Sequence, residues 1–223
     1  MKTSTIASHY VRAVIAAVTA HGLDAHLFLE KAGIGIEILD EPKARIFPEK
    51  MAKLLHLIAT ELDDECFGQN DKASPQGSFE IMCQLILHCA TLKEAMALAT
   101  RFYQLFDMAL EAEFVMNEKT GDIIMNEKRP CLDAEKFLTE FQLMSWHRLA
   151  CWLTGKRIPI QVVEFDFDRP DHVEEYQLLF YGQHRFNQDK NLLRIEKQYL
   201  DLPVIRSRDE DLPELMKEAP YAF

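Results

Sequence analysis

The chain has 223 residues, 48% of them hydrophobic, which is enough to form one well-packed domain or two small ones. Its net charge of -11, with lysines and arginines scattered along the chain, argues against nucleic-acid binding by this chain itself. No stretch reaches the roughly 18 consecutive apolar residues that a membrane-spanning helix requires, so contact with a membrane is not expected.

Helical periodicity predicts the first elements. Apolar residues at helical spacing indicate an amphipathic helix over residues 4–21. A second helix is predicted over residues 25–32, with Asp24 as its N-cap. Residues 33–47 are predicted to form a loop, after which Pro48 occupies the first position of a third helix.

The middle of the chain changes from helical to β periodicity. A fourth helix is predicted over residues 74–90 from its apolar spacing. Thr91 and Glu94 have the spacing of a capping box, in which each side chain accepts from a free backbone N–H. They predict a fifth helix over residues 91–106, and strict alternation then predicts a strand over residues 108–116.

A hairpin and a long helix are predicted next. Residues 123–126 form the returning strand of the hairpin, after a turn that contains a glycine. Asp133 is placed to cap a helix over residues 134–153, which Gly155 ends. Because this helix is apolar on more than one side, it is predicted to be buried between layers.

The remaining predicted elements are short. Alternation indicates a strand over residues 163–167, followed by a helix over 173–180 and two last strands near Phe186 and over 192–195. The charged tail, 206–223, is predicted to be a linker. Together these elements predict an α+β fold, in which a helical N-terminal half packs on a small, mostly antiparallel sheet with a long buried helix.

Signatures of catalysis and of metal binding are absent from the sequence. The five cysteines form no CxxC pair, which indicates buried, reduced thiols in a cytosolic protein and neither disulfides nor a zinc site. No phosphate-binding glycine loop, nucleophile elbow or HExxH motif occurs. Neither an enzyme nor a cofactor-binding protein is therefore expected.

Three titratable residues are candidates for ligand contact. His88 lies near the end of an apolar helix, where it either binds a metal or haem or donates to a carbonyl; the second is favoured because no other ligand lies one helical turn away. Glu140 and His147 are seven residues apart on the predicted buried helix and therefore share a face. A buried glutamate needs a partner, either an arginine such as Arg101 or Arg148 or a cationic ligand.

Aromatic and methionine side chains complete the set of candidates. Their helical spacing alone is typical of a hydrophobic core, but a buried tyrosine hydroxyl also needs a polar partner, which a ligand can supply. The candidate ligand-binding residues are Met82, His88, Phe102, Tyr103, Phe106, Glu140, Met144 and His147.

Several short motifs are spread along the chain. Their order and spacing together indicate a protein family more specifically than any single motif does. They are Ala32-Gly-Ile34, Arg45-Ile46-x-Pro48, Phe67-Gly68, Thr91-Leu-x-Glu-Ala95, Arg101-Phe-Tyr103, Phe180-Tyr-Gly182, Asn191-x-Leu193 and Leu200-Asp-Leu-Pro203. In this order the chain resembles the N-terminal effector-sensing domain of AraC-type bacterial transcription regulators, in the arabinose-binding-type variant. The resemblance covers residues 8–205, and Gln69-Asn70 replaces the usual leucine-glycine.

The resemblance implies a domain organisation and a function. A sensing domain is expected over residues 1–205, with a helical part to residue 106 and a sheet-containing part from 107, and residues 206–223 would lead to a helix-turn-helix domain that the chain lacks. The implied partners are a small-molecule effector, such as an amino acid or another small metabolite, and a second copy of the chain. DNA would be bound only through the missing domain, in the cytoplasm.

Two other functions stay open at this point. One is a small α+β cytosolic enzyme, which would need a nucleophile, a base and an orienting group in one cleft. The other is a dimerisation module that binds no ligand. For the sensor, the expected pocket lies between the helices over 74–90, 91–106 and 134–153 and the sheet.

Overall fold

The computed structural model describes residues 5–222 of the chain, and for residues 218–222 it describes the backbone alone. The described residues form an α+β fold with two hydrophobic clusters. One cluster joins the N-terminal helices and a two-stranded sheet, and the other joins a five-stranded sheet to the remaining helices. The predicted fold class is confirmed.

The elements follow one another in chain order. The helices are α1 (Ser8–Ala20), α2 (Ala25–Ala32), α3 (Pro48–Leu62), α4 (Ser78–Ile86), α5 (Leu92–Gln104), α6 (Phe137–Thr154), α7 (Tyr176–Leu179), α8 (Lys197–Leu200) and α9 (Asp211–Ala222). The strands are β1 (Ile6–Ala7), β2 (Arg45–Ile46), β3 (Leu110–Met116), β4 (Thr120–Glu127), β5 (Val162–Glu164), β6 (Gln183–Arg185) and β7 (Asn191–Glu196). Short 3-10 helices occupy Ile36–Leu39 and Val173–Glu175.

The N-terminal helix and the loop after α2 differ from their predictions. Helix α1 was expected from residue 4, which lies outside the described residues, but it begins at Ser8 because Ile6 pairs with Ile46 in a short antiparallel sheet. Residues 33–47 are not only a loop, since they contain a 3-10 helix and strand β2. The pairing fixes the start of α1 beside the start of α3.

Helix starts follow the sequence signals at two positions. The Asp24 carboxylate accepts from the backbone N–H of His26 at 2.9 Å, and Pro48 opens α3, as predicted. Helix α4, in contrast, begins at Ser78 and not at residue 74. Gly77, the residue before it, has a φ of 89°. This left-handed backbone conformation cannot be part of a right-handed α-helix, so the helix begins after it.

The capping box at the start of α5 is only half formed. The Glu94 carboxylate accepts from the N–H of Ala90 at 3.0 Å, but Thr91 Oγ1 is buried with no hydrogen-bond partner among the described residues. Thr91 is extended and bridges to Pro203, and this pairing sets its backbone in place of a side-chain cap. The end of the sheet-containing part is thereby joined to the start of α5.

The five-stranded sheet has the order β3-β4-β7-β5-β6, and all its pairs are antiparallel except β5 with β6. The predicted hairpin is present, but its returning strand begins at Thr120, so the turn is shorter than expected. The last two strands are not neighbours, because β5 lies between them. Strand β5 is itself shorter than its prediction, ending at Glu164.

Helix α6 lies between the two hydrophobic clusters, which confirms the predicted long buried helix. Phe137 packs with the N-terminal helices, whereas Leu143 and Leu153 pack with the sheet. Asp133 caps the helix from outside its first turn, accepting from Leu138 N at 2.7 Å and from Thr139 N at 2.9 Å. Burial raises the pKa of this carboxyl to about 6 despite those hydrogen bonds.

The tail that was predicted to be a linker contains helix α9. Leu212 and Leu215, only 3% and 5% exposed, pack in the same cluster as the sheet. The approach to α9 is held by the Arg206 guanidinium, which donates to the carbonyl of Trp152 at 2.8 Å and to Asp211 at 3.0 Å. From Asp211 to Ala222 the segment is therefore a helix that packs on the domain, and Phe223 lies outside the described residues.

Candidate ligand-binding site

A cavity of about 570 Å³, here called the larger cavity, lies where α3, α4, α6 and α9 meet the loop between α3 and α4. Aliphatic and aromatic side chains, including Tyr103 of α5, make up more than half of its lining residues. Its lining residues are Ala52, Leu55, His56, Ala59, Glu65, Cys66, Phe67, Ser74, Gln76, Gly77, Phe79, Glu80, Met82, Tyr103, Phe141, Gln142, Ser145, Trp146, Leu149 and Met216. A mostly apolar cavity with few polar groups is typical of small-molecule sites.

Glu65 is the half-buried carboxylate in the wall of the larger cavity. Its two oxygens accept from the backbone N–H groups of Gly77 and Phe79, each at 2.9 Å, at the start of α4. Among the described residues it forms no ion pair with a lysine, arginine or histidine. Burial raises the pKa of Glu65 to about 7, because these hydrogen bonds offset only part of the cost of removing the charge from water.

Two serine hydroxyls in the same wall lack internal partners. Ser74 Oγ and Ser145 Oγ are both buried, and neither has a hydrogen-bond partner in the part of the chain that the structure describes. Gln142 beside them donates to the Cys66 sulfur at the long distance of 3.9 Å. Since buried polar groups are normally satisfied, these side chains can hydrogen-bond to a molecule in the cavity.

A second cavity of about 310 Å³, here called the smaller cavity, lies on the other side of Phe141 and shares Ala52, Leu55 and Phe141 with the larger one. Glu140, which is 2% exposed, lies in its wall. The carboxylate accepts from the hydroxyl of Tyr10 at 3.0 Å and from that of Tyr176.

Histidines complete the surroundings of Glu140. His172 Nε2 lies 3.4 Å from the carboxylate, and the His172 ring stacks on His9 with 3.8 Å between ring centroids. Burial lowers the pKa of His9, which favours its neutral form. Tyr10, Tyr176 and His172 contact Glu140, and none of these three partners was named from the sequence.

Four of the eight candidate residues line a cavity. Met82 and Tyr103 line the larger cavity, and Glu140 and Met144 line the smaller one. The Tyr103 ring stands edge-on to Trp146, with 5.9 Å between ring centroids. In place of the one expected pocket there are two cavities. The sheet was expected to form part of the wall, but α3 and α9 line the larger cavity instead.

The other four candidates line neither cavity. Phe102 and Phe106 pack behind Tyr103 on the core, with 5.5 Å between their own ring centroids. His88 is exposed just beyond the end of α4. His147 Nε2 lies 2.8 Å from the Ile158 carbonyl oxygen.

Several lining residues were not among the sequence candidates. Glu65 lies in a run of acidic residues and Met216 in the predicted linker, so neither carried a pocket signal. Ser145 and Gln142 lie on the predicted buried helix, where a polar residue at a core-facing position was a signal that could have selected them. Among the described residues no group of three or more histidine, cysteine, aspartate or glutamate side chains could hold a metal ion.

Comparison with known proteins identifies the family. Residues 22–204 match the family model described as the arabinose-binding domain of AraC transcription regulator, N-terminal. The chain belongs to this family. The predicted AraC-type sensing domain is thereby confirmed, and the family is one of transcription regulators.

The AraC-type domain is similar to two proteins from Pseudomonas aeruginosa. The ornithine utilization regulator is 24% identical over 199 residues, which cover 87% of this chain and 58% of that protein. The crystal structure of the transcriptional regulator CdpR has a TM-score of 0.47 and 10% identity, and the match covers 87% of this chain and 56% of that one. The AraC-type domain thus spans little more than half the length of each. No helix in its described part is long and apolar enough to cross a membrane.

Proposed function

We propose that this AraC-type domain senses a small-molecule effector, an amino acid or another small metabolite, which binds in the larger cavity. The observation that carries the proposal is a cavity of about 570 Å³ with mostly apolar walls and two buried serine hydroxyls that lack partners among the described residues. The similarity to a regulator named for ornithine utilization supports an amino-acid effector. The candidates Met82 and Tyr103 would contact the ligand, with Glu140 and Met144 behind the shared wall.

Effector binding in this cavity would act on the packing of α9. Met216 of α9 lines the larger cavity, and the chain before α9 is tied to the end of α6 through Arg206. A ligand that contacts α6 and α9 together would stabilise one arrangement of the two helices over others. We propose that this shift passes from the sensing domain, residues 1–205, through residues 206–223 to a helix-turn-helix DNA-binding domain of the whole protein in the cytoplasm. The acidic charge of this chain is consistent with DNA contact lying in such a domain.

A ligand screen tests the proposal. We expect at least one amino acid or small metabolite to raise the melting temperature of the chain. Ligand at ten times its Kd stabilises by about 1.4 kcal/mol, which corresponds to about 3–6 °C for a chain of this length. The panel should contain amino acids, sugars and fatty acids, measured by thermal shift and then by calorimetry.

A matched pair of variants assigns the effect to the larger cavity. Ser145→Trp places an indole in the cavity from α6, so it should abolish the ligand-induced rise. Ala134→Trp adds the same side chain at an exposed position before α6 and should retain the rise. The proposal is wrong if no compound stabilises the chain, or if both variants respond as the unmodified chain does.

We further propose that the domain forms a homodimer, because the regulators that it resembles act on paired DNA half-sites. Helix α1 is not expected to form the interface, since Val11, Val14 and Val18 are already fully buried within the domain. We expect light scattering to give twice the mass of the chain, 25.8 kDa, at micromolar concentration. A monomer mass that does not change with concentration would contradict this proposal.

A further inference from the structure

We propose that the ligand of the larger cavity carries a primary amine, which binds as an ammonium group to Glu65. This inference rests on the proposed function, because it assigns a chemical class to the ligand of the same cavity. It also makes Glu65, which lies in the loop between α3 and α4, the residue that selects among ligands of similar size and shape.

The position of Glu65 supports an ammonium partner. Each carboxylate oxygen accepts one backbone N–H bond, from Gly77 or Phe79, and can accept at least one more. The partial positive charge at the N-terminus of α4 stabilises the negative charge of this carboxylate. An ammonium group would add a full opposite charge and up to three donors at the cavity wall.

The other lining residues restrict the chemical class of the ligand further. Phe79, Trp146 and Leu149 offer apolar surface, which suits a hydrocarbon body and disfavours a sugar, whose many hydroxyls would lack partners there. Ser74, which is 1% exposed, and Ser145 can each hydrogen-bond to one further polar group. A fatty acid would bring a second carboxylate toward Glu65, and like charges in an apolar cavity repel.

Protonation of Glu65 couples amine binding to pH. Burial raises the pKa of Glu65 to about 7, so a fraction of the free domain carries the neutral acid near neutral pH. Only the ionised form pairs with an ammonium group, so affinity should rise as pH increases to about 7 and level off above it. The other titratable groups around Glu65 or in the cavity wall are Asp63, Asp64, His56, Cys66, Glu80, Cys83 and Tyr103.

Three six-carbon probes test the inference, namely n-hexylamine, 1-hexanol and hexanoate, measured by thermal shift and calorimetry on the whole chain. We expect hexylamine at ten times its Kd to raise the melting temperature by at least about 3 °C. Its Kd should be at least tenfold higher for Glu65→Gln, whereas hexanol should bind both proteins equally. Glu61→Gln removes the same charge from the exposed face of α3 and should leave hexylamine binding unchanged.

The pH profile of the unmodified chain gives a second readout that needs no folded variant. The Kd for hexylamine should fall by up to about tenfold per pH unit between pH 5 and pH 7. Any pH dependence that remains in Glu65→Gln measures the other groups around the cavity.

Each outcome bears on the inference in a defined way. Hexanol binding without tighter hexylamine binding would overturn the amine inference and leave the cavity as the effector site. Hexanoate binding as tightly as hexylamine, or a Kd for hexylamine that is the same in Glu65→Gln and at every pH, would overturn it as well. If none of the three probes binds, the amine inference fails, and the proposed function is then decided by the wider ligand screen.

Discussion

Replacing Glu140 with alanine should lower the free energy of unfolding of this domain by about 3 kcal/mol. The carboxylate is buried and accepts from the hydroxyls of Tyr10 and Tyr176, with His172 beside it. Alanine would leave two buried hydroxyls without an acceptor, and each such loss costs about 1–3 kcal/mol. Urea unfolding followed by circular dichroism measures the change.

Two further variants separate the hydrogen bonds from the charge of Glu140. Glu140→Gln keeps one carbonyl oxygen as an acceptor, so it should cost less than alanine. Glu30→Ala removes an exposed carboxylate from α2 and should change stability by less than about 0.5 kcal/mol. If Glu140→Ala unfolds at the same urea concentration as Glu30→Ala, the network around Glu140 does not stabilise the fold.

The network also links the two parts of the domain. Tyr10 belongs to α1, Glu140 to α6 and Tyr176 to α7, so one carboxylate joins the N-terminal helices to the sheet-containing part. The bidentate pair of Arg45 with Glu175, at 2.6 and 3.1 Å, adds a second link beside it. Loss of Glu140 should therefore loosen the wall of the smaller cavity as well as lower stability.

The sequence correctly predicted those features of helices and strands that depend only on a few neighbouring residues. Asp24, Pro48 and Gly155 mark helix ends because a cap or a backbone conformation depends on a few neighbouring residues. The alternation in β3 predicted a strand for the same reason. The order of the strands was not predictable in this way, since β7 pairs with β4 and β5 across long stretches of chain.

The candidate site was less predictable because it depends on contacts between distant residues. Helical spacing placed Glu140 on a buried helix, but its partners Tyr10 and Tyr176 are 130 and 36 residues away in the chain. Glu65 gave no signal, since an acidic residue in an acidic loop is ordinarily solvated. Only the packing of α4 and α6 against that loop turns Glu65 into a cavity residue.

Leu215→Ala should lower the free energy of unfolding by about 2 kcal/mol, although the sequence predicted a linker at this position. Leu212 and Leu215 are three residues apart, which places both on one face of α9, and both are buried. A linker residue would change stability by less than about 0.5 kcal/mol. Urea unfolding distinguishes the two values, and Glu214→Ala, an exposed change on the same helix, is the matched control.

The same variant connects the packing of α9 to effector binding. Met216 follows Leu215 and lines the larger cavity, so ligand contacts with α9 exist only while that helix is docked. If weaker packing leaves α9 docked in only a fraction of molecules, the apparent Kd for the ligand rises in inverse proportion to that fraction. Leu215→Ala should therefore weaken binding of a cavity ligand while Glu214→Ala leaves it unchanged. Equal affinity in both variants, despite the loss of stability, would mean that α9 supports the fold without taking part in effector sensing.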